Sequence, residues 1–252
     1  MRAFLLVCFC LLVSGFLFAQ AHSFTYIGAG ITGSTVRLQG LNAVIDRYNE
    51  TRQGQQGAAS LSRDMGYFNT QAGYEFSLGR SFDDLGWFFD LHLSFQEAAT
   101  FAEGVDFSGN PARRDLRLKS SIFSAGTGPT LIQTGKLDVA AGMAVEITWN
   151  KMYSILNEGE ESEIFKDEVP IAFTPFAYAT LFLSRKIPLA VFGRAFLQLP
   201  LLASDYTELN QAINPATWQN DEGKDFSNMN WRPGFSLGIA LIFHERDLSF
   251  HR

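Results

Sequence analysis

Eight stretches of alternating apolar and polar residues run along the chain, joined by connections that are long, short, long, short, long, short and long in turn. Side chains on a strand point to opposite faces alternately, so this alternation predicts strands with one apolar face each. The clearest is 137–150. Leu137, Val139, Ala141, Met143, Val145, Ile147 and Trp149 share one face, and Asp138, Ala140, Gly142, Ala144, Glu146, Thr148 and Asn150 share the other. Stretches 87–96, 189–201 and 231–244 repeat the pattern. Four weaker stretches, 24–38, 66–78, 114–126 and 171–184, complete the set. In 66–78 the phase turns Phe68, Ala72, Tyr74, Phe76 and Leu78 outward. In 114–126 it turns Leu116, Leu118 and Ile122 outward and Arg117 and Lys119 inward. Stretch 171–184 is apolar on both faces, and Pro170 and Pro175 weaken it as a regular ladder.

Connections 79–86, 127–136 and 184–188 are short and carry turn residues, whereas 39–65, 97–113, 151–170 and 202–230 are longer and polar. The layout predicts an all-β fold: an eight-stranded antiparallel up-and-down transmembrane β-barrel with long extracellular loops, short periplasmic turns and both termini periplasmic. After the N-terminal segment no run approaches the roughly 18 apolar residues of a spanning helix. One long connection has its own pattern. Leu41, Val44, Ile45 and Tyr48 recur at the spacing of a helical face, which predicts a short helix packed on the barrel rim. A lid or plug over the lumen is the alternative.

The N-terminus adds a location. Arg2, the apolar run Ala3 to Phe18 and the small-residue triplet Ala19-Gln20-Ala21 read as a secretory signal over 1–21, leaving 22–252 as one barrel domain. A cut after Ala19 fits nearly as well. A retained anchor fits worse, because the run is short and no basic cluster follows it. Cys8 and Cys10 lie inside that apolar run, too early for a lipoprotein signal, and they are the chain's only cysteines. The mature part therefore has no disulfide framework and no thiolate for metal or nucleophilic chemistry. A net charge of −6 argues against nucleic acid as a partner. Aromatics reach 14% with 24 Phe, while charged residues at 18% fall below the usual quarter of a soluble domain. Both deviations point to lipid contact.

With strand direction alternating, aromatic residues fall into two bands on the outward face. Phe68, Phe95, Trp149 and Trp231 take the extracellular ends of their strands, and Phe76, Trp87 and Phe243 the periplasmic ends. Rings with an apolar body and a polar edge favour the headgroup level. A periplasmic sandwich or a lipocalin-like barrel would reverse the faces, but its solvent face would then carry more charge than the Gly, Ala, Ser and Thr found here. On these features the chain resembles the small bacterial outer-membrane barrels of the OmpA, OmpX and OmpW type and the related PorT-like barrels. No motif selects one subfamily. Such barrels often end in an aromatic residue, whereas here Phe250 stands two from the end and Phe243 closes the alternation earlier.

Inward-phased ionisable residues are Glu75, Asp90, His92, Arg117, Lys119, Glu146, Arg194 and Arg232. Eight strands leave an interior that side chains can fill, so these groups are expected to form a buried ion network. A turn centred on residues 131 and 132 sets Arg117 opposite Glu146 as a cross-strand pair. His92-Leu93-Ser94 resembles the His-x-Ser pair of outer-membrane lipid A deacylases, which would make His92 the base and Ser94 the nucleophile. Phe95 stands where that family has Asn, and Asp106, the obvious acid, lies in a loop.

His22, His92, His244 and His251 show no ligand spacing, and Glu158, Glu160, Glu161 and Glu163 read as a solvated acidic run, so no metal or cofactor is expected. Gly28-Ala29-Gly30 has no helix after it to make a phosphate loop. The expected role is non-enzymatic, structural or in surface contact through the long loops. Expected partners are outer-membrane lipid and lipopolysaccharide and an extracellular partner at the loops, with the barrel monomeric. A small-molecule transporter with Phe192, Phe196 and Phe123 along its lumen is the alternative, and a hydrolase the remote one.

Overall fold

Alternation becomes strand at all eight expected places. The computed structural model describes residues 24–36, 38–53, 60–82, 86–106, 108–134, 136–167, 170–183, 188–215, 226–228 and 231–244. The expected signal, both cysteines, His22 and His251 lie outside the described residues. The barrel strands are β1 (Phe24–Thr35), β3 (Thr70–Phe82), β4 (Trp87–Val105), β5 (Pro111–Gln133), β6 (Leu137–Leu156), β8 (Ile171–Phe182), β9 (Leu189–Pro200) and β12 (Arg232–His244). Each pairs antiparallel with the next, and β12 pairs with β1 from Phe24↔His244 to Ser34↔Gly234, closing the ring. Closure leaves no open edge along the paired rows of the ring.

Short elements gather at the end of the long connections. These are α1 (Gln39–Glu50), β2 (Ser60–Arg63) on the edge of β4, β7 (Ser162–Asp167) on the edge of β6, α2 (Thr207–Ile213), and a two-residue pair of β10 (Ser204–Asp205) with β11 (Ser227–Asn228). This is the capped end. At the opposite, turn end, β3 and β4, β5 and β6, and β8 and β9 are joined by short links.

Three strands are longer than a membrane needs. β4, β5 and β6 run 19, 23 and 20 residues, against the roughly 9–11 of a membrane-crossing strand. Two neighbouring rows of the sheet show where the surroundings change. In the row Phe95, Ser121 and Trp149 the outer face is still partly aromatic; one step up, at Glu97, Lys119 and Lys151, it is charged. Below the change Phe89, Leu91 and Leu93 face out, and above it come Glu103, Arg113, Asp115 and Arg117. The inner face inverts at the same level. It is polar below, with Glu75, His92 and Glu146, and aliphatic above, with Ala98, Ala102, Leu116, Leu118 and Met152.

That inversion overturns part of the sequence reading. The expected loop 97–113 is mostly strand, and only a hairpin tip at 106–110 joins β4 to β5. Leu116, Leu118 and Ile122 point inward and are buried, while Arg117 and Lys119 point outward. Phe123 likewise lies on the outward face of β5, away from the lumen path expected of it. Alternation alone specifies two faces; which one is the core depends on what surrounds the strand, and here that changes along its length.

The aliphatic upper storey is filled by α1. Leu41, Val44 and Ile45 are fully buried and pack with Leu116, Leu118, Met152, Phe165, Tyr206, Leu209 and Ile213. The expected helix thus forms, with its apolar face packed on the inner wall of β5 and β6 at the capped end. It has no side-chain N-cap, so its position comes from packing and from a clasp. Asn49 Nδ2 donates to the Met65 carbonyl (3.0 Å) and Asn49 Oδ1 accepts from the Met65 N–H (2.9 Å).

At the turn end the lumen is aromatic. Phe24, Tyr26, Phe88, Phe176, Tyr178 and Phe192 interlock, with the Tyr26 and Tyr178 rings stacked at 5.8 Å and Tyr178 and Phe192 at 5.7 Å. Phe192 fits only because two neighbouring strands lack a side chain. A Cβ on Gly28 would sit 2.8 Å from its ring and one on Gly238 2.6 Å.

Candidate functional site

The lumen below α1 is packed in layers. Above the aromatic floor sits a charged layer that draws one or two residues from each of several strands. His92 Nε2 is 2.7 Å from Asp90 Oδ2, and its Nδ1 lies 3.7 Å from Glu75 Oε2. Ser236 Oγ donates to Glu75 at 2.8 Å. Arg194 Nη2 lies 3.8 Å from Glu146 Oε1 and 3.4 Å from Ser124 Oγ. Its guanidinium is also 4.7 Å from the Phe176 ring and 5.2 Å from Phe196. Gln198 Nε2 completes Glu146 at 2.5 Å. The void left between these groups is about 10 Å³, the size of a single water.

A layer of amides and hydroxyls follows. Gln71 donates to Ser120 (2.9 Å), Ser120 to Asn150 (2.6 Å) and Ser34 to Gln96 (2.8 Å). The aliphatic cap lies over it.

Of the expected inward set, the structure brings Glu75, Asp90, His92, Glu146 and Arg194 into one buried layer. Arg232, also buried, stands apart at the capped end opposite Gln198, beside a void of about 30 Å³. Arg117 and Lys119 belong to a different site. Lys119 Nζ bonds Glu161 at 2.9 Å, and Arg117 lies 3.9 Å from the same carboxylate on the outer wall. The expected Arg117–Glu146 pair does not form. Glu146 faces Ser124 in the register and Arg117 faces Tyr153, because β5 runs on to Gln133, which pairs with Asp138, so the turn lies beyond residues 131 and 132. Arg194, three strands along from β5, takes the place assigned to Arg117.

The acidic run is used the same way, with Glu161 on Lys119 and Glu163 on Lys151 at 2.6 Å. The Lys151 hydrogen bond holds the Glu163 carboxyl below the ordinary glutamate value. His92 and Ser94 both line the lumen, but both imidazole nitrogens are turned to carboxylates rather than to Ser94. Asp106 lies at the hairpin tip, where its carboxylate accepts from the Ser108 and Asn110 N–H groups.

The aromatic residues divide. Phe76, Trp87, Trp231 and Phe243 are exposed on the outer face, and Phe95 and Trp149 are half-buried there. Phe76 lies at mid-strand in β3 rather than at its end, and β4 and β6 continue well past Phe95 and Trp149. Phe68 is a correction. It precedes β3 and is 2% exposed, packed into the aliphatic cap instead of facing lipid.

One crevice opens at the capped end, about 200 Å³, between the end of α1, β2 and the tips of β4 and β5. It was not legible as a site, because its residues come from four separated segments. Tyr48, Arg52, Ala102, Arg113, Arg114 and Leu156 are among its walls.

The outer wall below the charged row exposes Ile31, Phe76, Leu93, Met143, Phe173, Phe235, Leu237 and Ile239 to its surroundings. An apolar belt of this kind, around an even-numbered antiparallel ring with a polar interior, is what a bilayer requires of a spanning barrel. The fold is that of a small outer-membrane β-barrel. Solved structures of such size are similar to it. The attachment invasion locus protein Ail of Yersinia pestis matches at 9% identity, with a TM-score of 0.42, over 88% of this chain and 100% of its own. A major outer membrane protein of Thermus thermophilus matches at 10%, with a TM-score of 0.42, over 89% and 100%. OprG of Pseudomonas aeruginosa matches at 10%, with a TM-score of 0.39, over 90% and 98%. No family model matches the chain, and no curated protein matches it in sequence. The closed hydrogen-bonded ring and its outward face carry the fold assignment.

Proposed function

We propose that this protein is a non-conducting, non-enzymatic surface-contact barrel of the outer membrane, with its capped end outside the cell. The observation behind the reading is the filled interior. Aromatic, charged, amide and aliphatic layers succeed one another along the lumen, and α1 packs on the inner wall at its capped end. A barrel packed in this way has no bore to offer a solute. What remains for function is the raised wall of β4, β5 and β6 with the elements around it.

The test has two arms. Purified protein in planar bilayers should show no steady ohmic conductance, and liposomes carrying it should not swell in sugar solutions. Cysteine at position 108 should react with an impermeant label on whole cells, and cysteine at 134 should not. A stable open current would put the transporter reading first. Labelling at 134 alone would reverse the orientation.

A further inference from the structure

The crevice at the capped end has an uncommon electrostatic make-up. Two guanidinium groups, Arg52 and Arg114, lie against one buried ring, 3.8 and 5.6 Å from the centre of Tyr48. Neither has a carboxylate within ion-pair distance among the described residues, although outer-wall cations such as Arg113, Lys119 and Lys151 each do. Arg52 is held in place by neutral acceptors. Its Nη1 donates to the Tyr48 carbonyl (3.1 Å) and to Asn214 Oδ1 (3.1 Å), and its Nη2 to the Ile213 carbonyl (3.0 Å). Arg114 donates one Nη1 bond to the Ile213 carbonyl at 3.4 Å, and its Nε is buried without a partner.

A guanidinium carries five N–H donors arranged for a two-oxygen acceptor, and leaving them unused in a partly dry wall is costly. Two like charges on one ring, locked by backbone carbonyls, make a fixed cationic fork. Burial above all, and then the charge of Arg114, pull the Arg52 guanidinium below its ordinary value, with the Tyr48 phenol opposing. Among the described residues of the crevice wall the one acid, Asp106, is committed to the N–H groups of its own turn. Arg113, also in the wall, is committed to Glu103 and Asp115, and most of the remaining wall is apolar or small, with Leu61, Ala102, Val105, Ala112 and Leu156.

From this we infer that the crevice binds a tetrahedral oxyanion ester, a phosphate or sulfate carried on a sugar-sized body, with Arg52 and Arg114 on the anion and the small aliphatic wall beneath the ring. Contact from two separate guanidinium groups through the donors they have left favours an anion with several oxygens over a lone halide. The volume, about 200 Å³, admits one such unit and excludes a larger acyl chain. The inference rests on the surface-contact reading for its biological sense, yet the two fail separately. Binding is measured on purified protein, and orientation on cells.

Titration calorimetry on the full protein in non-ionic detergent, with glucose 6-phosphate, glucose 6-sulfate, glucose and inorganic phosphate, tests it. Both esters should bind and glucose should not, and the better of the two esters names the source. Arg114→Gln should weaken the better ester at least tenfold and Arg114→Lys less, while Lys151→Gln on the outer wall should leave it within twofold. The heat-dependent gel shift of folded barrels checks that each variant is assembled. Equal heats for glucose and its phosphate, or an assembled Arg114→Gln variant that binds as tightly as the parent, would overturn the site. Inorganic phosphate binding as tightly as either ester would overturn the seat for the sugar body.

Discussion

Arg194 is the group on which the charged layer turns, and its removal is a quantitative test of the packed lumen. In Arg194→Met a side chain of similar length keeps the volume but loses the guanidinium. Glu146 then keeps Gln198 at 2.5 Å and loses its cation at 3.8 Å. Breaking one side of a buried ion pair costs about 3–5 kcal/mol, because the remaining charge is left without compensation. The flanking faces of Phe176 and Phe196 contribute on the order of 0.5–2 kcal/mol to a dry cation, a portion that overlaps the first and does not simply add. Arg194→Met should therefore lose about 3–5 kcal/mol. Glu146→Gln alone should lose less, since Gln still bonds Gln198 and Arg194 retains Ser124 at 3.4 Å. The double variant should recover most of the loss, to within about 1–2 kcal/mol of the parent, because both charges are gone together. Equilibrium urea unfolding in phospholipid vesicles, followed by tryptophan fluorescence, measures all four corners. If the single Arg194 variant loses less than about 1 kcal/mol, or the two losses add, the layer is not a coupled buried network and the reasoning fails.

Three further outcomes follow from the capped end. Asn49→Ala removes both bonds of the Met65 clasp and should cost about 1–3 kcal/mol of cap stability, read as faster proteolysis in the 36–69 connection with the barrel core intact. Arg117→Ala and Lys119→Ala should each cost under about 1 kcal/mol in the same urea assay, because both side chains stand on the exposed outer wall. The Asp106 carboxyl is held below its ordinary value, chiefly by the Asn110 N–H. A depressed folded value means that its contribution is complete above the unfolded value, about 3.9, and is lost as pH falls through the folded one. Hydrogen-exchange protection at Ser108 and Asn110 should fall with acidification below about pH 4, and Asp106→Asn should abolish that dependence.

The barrel was legible because a lipid-facing strand and a packed lumen impose a strict period of two, and β6, β9 and β12 show it plainly. The helix at 39–50 was legible for the same reason, from one apolar face repeating at helical spacing. Its seat on the inner wall of β5 and β6 was not, since an amphipathic face says that it is covered but not by what. The phase of β5 failed at Leu116 and Leu118, where the strand leaves the bilayer and enters a storey whose core is inside, and at Ile122, an apolar residue among the polar groups of the lumen. No local signal separates a leucine facing lipid from one facing α1. The pairing of Glu146 was missed because β5 continues as strand through the residues 131 and 132 taken for the turn, and because the partner cation comes from β9, remote in sequence. The crevice is a product of the tertiary fold alone. It joins Arg52 and Arg114, which the sequence holds far apart.

Phe192 on β9 rests in the space left by Gly28 on β1 and Gly238 on β12, the two strands whose pairing seals the ring. The joint and the filling are one event. Until the first and last strands meet, the ring of Phe192 has no complete seat, and once it is seated it braces the joint from within. A bulkier residue at either glycine would act less as a local clash than as a wedge in a door. Such a variant would stall as an unsealed sheet on the membrane, its last hydrogen bonds unmade while every other strand is already in place.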